Sequence, residues 1–280
     1  MTVFFSYVII VSRYEKDDNL IDTISIIGGC GKTGQTEPVD RVDLKMGDVV
    51  TVVGPTGSGK TTLINDLELF ADGSTPTGRR VLINGGIPPR EYSEDPSLNP
   101  IALITQNTSF LSDLPVNEFL SIHAGIRGSG DNGSEGVVRQ AIDFANQLTG
   151  EPIGLNSRMT ELSGGQARAL LIADAAIISN TPIVLLDEIE NAGINRTRAM
   201  ELLREYRKIY VFVTHDPRIA LLSDFRIVMR SGMMMKVIPA SDEERQLSGW
   251  LCRIDDVLSD FRNKIRLGER LNVDGLEAIP

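Results

Sequence analysis

The run Gly54, Pro55, Thr56, Gly57, Ser58, Gly59, Lys60, Thr61, Thr62 satisfies G-x-x-x-x-G-K-[ST]. Glycines at its turns let the backbone wrap a phosphate with no Cβ in the way. Successive N–H groups and the start of a following helix favour negative charge there. Lys60 is placed to reach β- and γ-phosphates, and the Thr61 hydroxyl to ligate Mg²⁺. A second chemical pair, Asp187-Glu188, closes the apolar run Ile183 to Leu186. An acid at a buried strand tip holds a metal directly or through water, which suits Asp187, and its neighbour Glu188 is placed to polarise an attacking water as general base. Together these predict binding and hydrolysis of a Mg-nucleoside triphosphate.

Four short runs must position this chemistry: Asp48 to Val53, Pro100 to Thr105, Ile183 to Leu186 and Ile209 to Thr214. Each is nearly all apolar, as a strand buried on both faces of a parallel sheet requires. Each is followed by a polar residue or a tight turn: Gly54, Gln106, Asp187 with Glu188, and His215. Ligands of open α/β sheets bind outside the carboxyl ends of the strands, so the four tips are expected to converge on one crevice. Residues 107 to about 162 differ in texture. They predict a helix over Val116 to His123, a Gly/Ser/Asp-rich loop over Gly128 to Gly136, and a helix over Val137 to Leu148. A long apolar helix is expected over Ala167 to Ile178. Beyond Pro239, Leu247, Leu251, Ile254, Leu258, Phe261 and Ile265 recur at spacings of three and four, predicting a helix whose apolar face packs on the core. The early runs Val3 to Phe5 and Val8 to Val11 read as an edge strand, too short for a membrane-spanning helix.

Lys plus Arg number 28 against 38 Asp plus Glu, a formal net charge of −10 over 280 residues. Broad nucleic-acid binding is not expected of such a surface. Cys30 and Cys252 are far apart, and His123 and His215 form no cluster with them, which excludes a disulfide framework or a zinc site and favours a reducing compartment. A second glycine cluster, Gly28-Gly29-Cys30-Gly31-Lys32-Thr33, has Ile26 in place of the first glycine a phosphate loop needs. It reads as a turn, with a loop beside the nucleotide as the alternative.

The sequence Leu162-Ser163-Gly164-Gly165-Gln166 lies between the phosphate loop and the acidic strand. With Gln106 before it and His215 beyond, the order of motifs from Val39 to Pro239 resembles the ATP-binding cassette (ABC) ATPases. The resemblance implies an α/β fold: a P-loop NTPase, RecA-like parallel-sheet core with an N-terminal β region and an inserted helical subdomain. The expected division is a cassette over 1–238, with the helical subdomain at about 107–170, and a helical extension over 239–280. The implied cofactors are ATP and Mg²⁺. Gln106 matches the glutamine that senses metal and water, and His215 the histidine that contacts the γ-phosphate. Ser163, Gly164, Gly165 and Gln166 would face the ATP held by a second cassette. The expected role is the energising subunit of a transporter with separate transmembrane permease subunits. Such a chain is cytoplasmic and sits at the inner face of the membrane through its partner. The alternative is a soluble ATPase that remodels or reactivates a protein complex.

Two departures accompany the resemblance. No Phe, Trp or Tyr occurs between Glu15 and Thr56 to stack on adenine, and Tyr14 lies further upstream than the family's pattern places its aromatic. After the acidic pair the chain reads Ile189-Glu190-Asn191-Ala192-Gly193-Ile194, so Ile194 stands where the family has an aspartate that couples the two sites, with Asn195 beside it.

Overall fold

A computed structural model describes residues 21–95, 98–105, 108, 110, 112–126, 130–179, 181–187, 194 and 196–271. The expected edge strand near the N-terminus, and the residues Tyr14, Gln106, Glu188 and Asn195, lie outside these.

The chain opens with β1 (Thr23–Ile27), β2 (Arg41–Lys45) and β3 (Val49–Val53). Next come α1 (Lys60–Glu68), β4 (Arg80–Ile83) and the short α2 (Glu91–Glu94). After β5 (Ile101–Ile104) the helical insertion carries α3 (Val116–Ile126), α4 (Gly130–Leu148) and α5 (Gly164–Ala173). β6 (Ile183–Asp187), α6 (Arg196–Arg204), β7 (Ile209–Val213), α7 (Pro217–Leu222) and β8 (Phe225–Arg230) complete the core. β9 (Met233–Pro239) and the long α8 (Asp242–Arg266) close the chain.

Two sheets form. The larger has the order β5-β6-β7-β3-β8-β9, parallel except for β9, and the smaller is antiparallel, β2-β1-β4. The period of two sorts the larger sheet's side chains. Val184, Leu186, Tyr210 and Phe212 enter the core under the helical insertion, whereas Val50, Val52, Leu185, Val211 and Val213 face α1 and the smaller sheet. The strands are therefore buried on both faces, as their nearly continuous apolar runs require. Each such side chain contributes about 1.5–3 kcal/mol of transfer free energy.

Three helical expectations need adjustment. The sequence after the phosphate loop predicts a helix over Thr61 to Phe70, whereas α1 stops at Glu68 and Phe70 adopts a left-handed φ of 49°. The expected loop over Gly128 to Gly136 is corrected, because α4 is helical from Gly130 onward. Its apolar stripe, Val138, Ala141, Ile142, Phe144, Ala145 and Leu148, is buried in the core shared with α3 and α5. Packing of that stripe carries the helix through turn-forming residues whose own propensities oppose it. The face of α8 expected to pack on the core is instead exposed: Leu247 is 55% and Ile265 60% accessible. The helix spans 25 residues but leans on α7, which has 6. At 1.5 Å per residue these are roughly 37 and 9 Å long, so most of the stripe lies past anything able to cover it. Its near end is fastened by Arg226 to Glu244 at 2.6 Å, a bond that holds the Glu244 carboxyl below its ordinary pKa.

Candidate nucleotide site

β3 delivers the phosphate loop. A Cβ on Gly54 would lie 2.4 Å from the Met229 carbonyl oxygen and 2.7 Å from Ser58 Oγ, so the loop can fold this tightly only on glycine. Gly59 takes a left-handed φ of 100° at the N-cap of α1, a conformation that costs glycine little and turns the chain sharply into the helix. Lys60 follows as the first helical residue and is buried, its Nζ donating to the carbonyls of Gly54 at 2.9 Å and Pro55 at 3.3 Å.

The same ammonium lies 3.1 Å from Nε2 of His215. An ammonium can only donate, so a hydrogen bond here requires Nε2 to accept. His215 comes two residues after β7 ends at Val213, and Val213 pairs with Asp187, the last residue of β6. Adjacent strands β6, β7 and β3 thus bring Asp187, His215 and Lys60 to one edge of the sheet. β5 stands beside β6, with Ile104 opposite Leu186. Gln106 follows that strand in sequence, and Glu188 follows Asp187.

The residues present fit a Mg-nucleotide. Ser58 Oγ is buried without a protein partner, and the Thr61 and Thr62 hydroxyls are exposed at the start of α1. Among the described residues no group of three or more His, Cys, Asp and Glu side chains forms a cage for a cation. A carboxylate and a hydroxyl, Asp187 and Thr61, are hard oxygen donors of the kind that would hold Mg²⁺ jointly with a substrate's phosphates.

Ser163 caps α5 in a reciprocal box. Its Oγ accepts from Gln166 N at 3.3 Å, while Gln166 Oε1 accepts from Ser163 N at 2.9 Å. Ser163 and Gly164 are exposed, and the serine O–H proton remains free to donate outward. The cap therefore pre-orients the helix start for an anion. Ile194, at the place of the family's aspartate, is buried in the helical-side core and bridges to Thr149. Its side chain serves packing.

The sequence did not disclose what locks the phosphate loop from behind. Arg79 is fully buried between Glu37 on one side and Asp66 of α1 on the other, at 2.5 and 2.9 Å. Burial weighs against the guanidinium charge. Bonds to Glu37 and its charge, then those of Asp66, outweigh burial and hold the Arg79 pKa above its ordinary value. Arg79→Ala strands two buried carboxylates, and the expected loss is about 3–5 kcal/mol of stability. Urea denaturation measures it; a loss below about 1 kcal/mol would contradict the assignment.

Comparison with known proteins identifies the family. A model of the ABC transporter family matches residues 40–191. An uncharacterised ABC transporter ATP-binding protein of Methanocaldococcus jannaschii is 51% identical over 251 residues, 90% of this chain and 95% of that protein. An ATP-dependent lipid A-core flippase of Paraburkholderia xenovorans is 28% identical over 76% of this chain, which spans only 36% of the flippase. A solved ATP-binding cassette, a dimer in a post-hydrolysis state with ADP and Pi, shares the fold with a TM-score of 0.57 at 23% identity, over 78% of this chain and 99% of that one. With its glycine-lined loop, acidic strand tip and capped Ser163 helix in the order the family requires, the chain belongs to the ABC transporter family as an ATP-binding cassette.

Proposed function

We propose that the chain hydrolyses ATP to ADP and phosphate and that this energises transport through separate membrane-embedded permease subunits. The observation that carries this reading is the 3.1 Å contact between Lys60 and His215, which unites two strand tips over a glycine-lined loop containing the partnerless Ser58 hydroxyl. Mg²⁺ when bound would screen the phosphates and polarise them toward attack. Thr61, Asp187 and Gln106 would hold it. Lys60 and the backbone N–H groups of the loop 54–62, Pro55 excepted, neutralise and orient the polyphosphate. Glu188 takes the proton of the attacking water, and His215 contacts the terminal phosphate.

Ser163 and Gly164 are exposed at a helix start, followed by the half-buried Gly165 and Gln166. The proposed partner there is the nucleotide of a second cassette, an arrangement supported by the dimeric state of the solved relative. In this reading residues 1–238 form the cassette, about 107–170 of them the insertion that touches the permease, and 239–280 the extension. No helix among the described residues is long and apolar enough to cross a membrane. The proposed place is the inner face of the cell membrane, reached through the permease partner.

Two measurements test the proposal. Purified protein should release phosphate from Mg-ATP, and none from Mg-ADP. Tagged Glu188→Gln chain, recovered from native cells with Mg-ATP, should bring down a multi-spanning membrane protein in stoichiometric amount. Recovery of a soluble complex alone would assign the chain to remodelling instead of transport.

A further inference from the structure

The glycine cluster Gly28 to Thr33 forms a tight turn, with Gly31 N donating to Gln35 O at 2.8 Å and Cys30 bridged to Thr36. Its place in the fold gives it a second property. Lys32 Nζ reaches across and donates to the carbonyl of Gly57, inside the phosphate loop, at 2.8 Å.

This approach is built into the backbone. Gly29 N donates to Glu37 Oε2, and Glu37 Oε1 accepts from Met234 N. Arg79, bound to the same glutamate, donates to the Gly232 carbonyl at 2.7 Å. Gly232 N in turn donates to Ser58 O at 2.8 Å, and Lys32 N to Ser231 O at 3.2 Å. One buried ionic knot therefore fixes the turn bearing Lys32, the turn between β8 and β9, and the phosphate loop against each other. Lys32 itself is exposed. Gly57 takes one of the three protons of its ammonium, leaving two for another acceptor.

Two ammonium groups, Lys60 and Lys32, thus grip carbonyls of one short loop in a chain whose formal net charge is −10. A compact ammonium binds phosphate oxygens as a point charge. The stretch from Glu15 to Thr56 supplies no aromatic ring for the base. We propose that Lys32 is a second polyphosphate-binding cation of this site, held at the phosphate loop by the Glu37, Arg79 and Asp66 knot, so that the nucleotide is gripped by its phosphates more than by its base. The proposal rests on the ATP-binding reading above and adds a residue to it.

The test is a calorimetric titration of Mg-ATP, Mg-GTP and Mg-tripolyphosphate into the wild-type chain and its Lys32→Ala, Lys32→Arg and Lys60→Ala variants, with thermal melts to compare folding. Because Lys32 is exposed, its variants are expected to melt as the wild type does. The expected result is a loss of about tenfold in Lys32→Ala for all three ligands alike, as removal of one charge-assisted bond gives, with Lys32→Arg within about threefold of wild type. Unchanged affinity in Lys32→Ala, while Lys60→Ala loses binding, overturns this proposal alone. A loss confined to one of the two nucleotides, with tripolyphosphate unaffected, also overturns it by making Lys32 a base contact. A wild-type chain that binds none of the three overturns this proposal and the ATPase reading together.

Discussion

Lys60→Ala is expected to weaken Mg-ATP binding on the order of a hundredfold, equivalent to about 3 kcal/mol. The substitution acts twice. It removes the cation assigned to the β- and γ-phosphates, and it removes the donor that ties the Gly54 and Pro55 carbonyls together in the free loop. His215 loses its contact with the ammonium at the same stroke. A histidine acting only through Lys60 would add little further loss in a Lys60→Ala, His215→Ala double variant, whereas one with its own phosphate contact would add its full effect. Titration of the two single variants and the double variant separates these cases. Wild-type affinity in Lys60→Ala would contradict the assignment of the phosphate loop.

The site was legible where chemistry coincides with a local pattern. Strands buried on both faces must be continuously apolar, so the polar residue that ends each one marks a tip, and tips of a parallel sheet share an edge. Lys60 and His215 meet, and Asp187 ends the neighbouring strand, for that reason. Ser163 was legible as a residue just before an apolar helix, and the capping box it forms with Gln166 closes within four consecutive residues. The Glu37, Arg79 and Asp66 knot was not, since its members are brought together from three separate elements and each taken alone resembles a surface charge. The turn at Gly28 was half legible: its glycines predict a tight bend, but the reach of Lys32 to Gly57 depends on how the bend is clamped. α8 shows the opposite limit. Apolar spacing predicts an amphipathic helix and its face, while what covers that face is decided by the length of its neighbour. In the loop after the acidic pair, Ile194 stands where the resemblance expects an aspartate, and its side chain is packed into the core.

Glu188→Gln is expected to reduce phosphate release by about 10²–10⁴-fold, or roughly 3–5.5 kcal/mol of barrier, while Mg-ATP affinity stays within a few-fold of wild type. Glutamine keeps the size of glutamate and one accepting oxygen, so a water can still be oriented, but the amide does not take up its proton. The groups assigned to binding, Lys60, Thr61 and Asp187, are untouched. Single-turnover phosphate release and equilibrium binding of the same preparation should therefore separate, with catalysis lost and binding kept. Lys60→Ala should lose both. A cassette that binds but cannot hydrolyse accumulates in its nucleotide-bound form, and if Ser163 and Gly164 face a second chain's nucleotide, that form is a dimer. Light scattering of Glu188→Gln with Mg-ATP should then report twice the monomer mass, and Ser163→Arg, which places bulk and charge at the exposed start of α5, should return it to the monomer without weakening nucleotide binding to the chain's own phosphate loop. A dimer that survives Ser163→Arg would show that the two chains meet elsewhere, with the exposed stripe of α8 as the first surface to test.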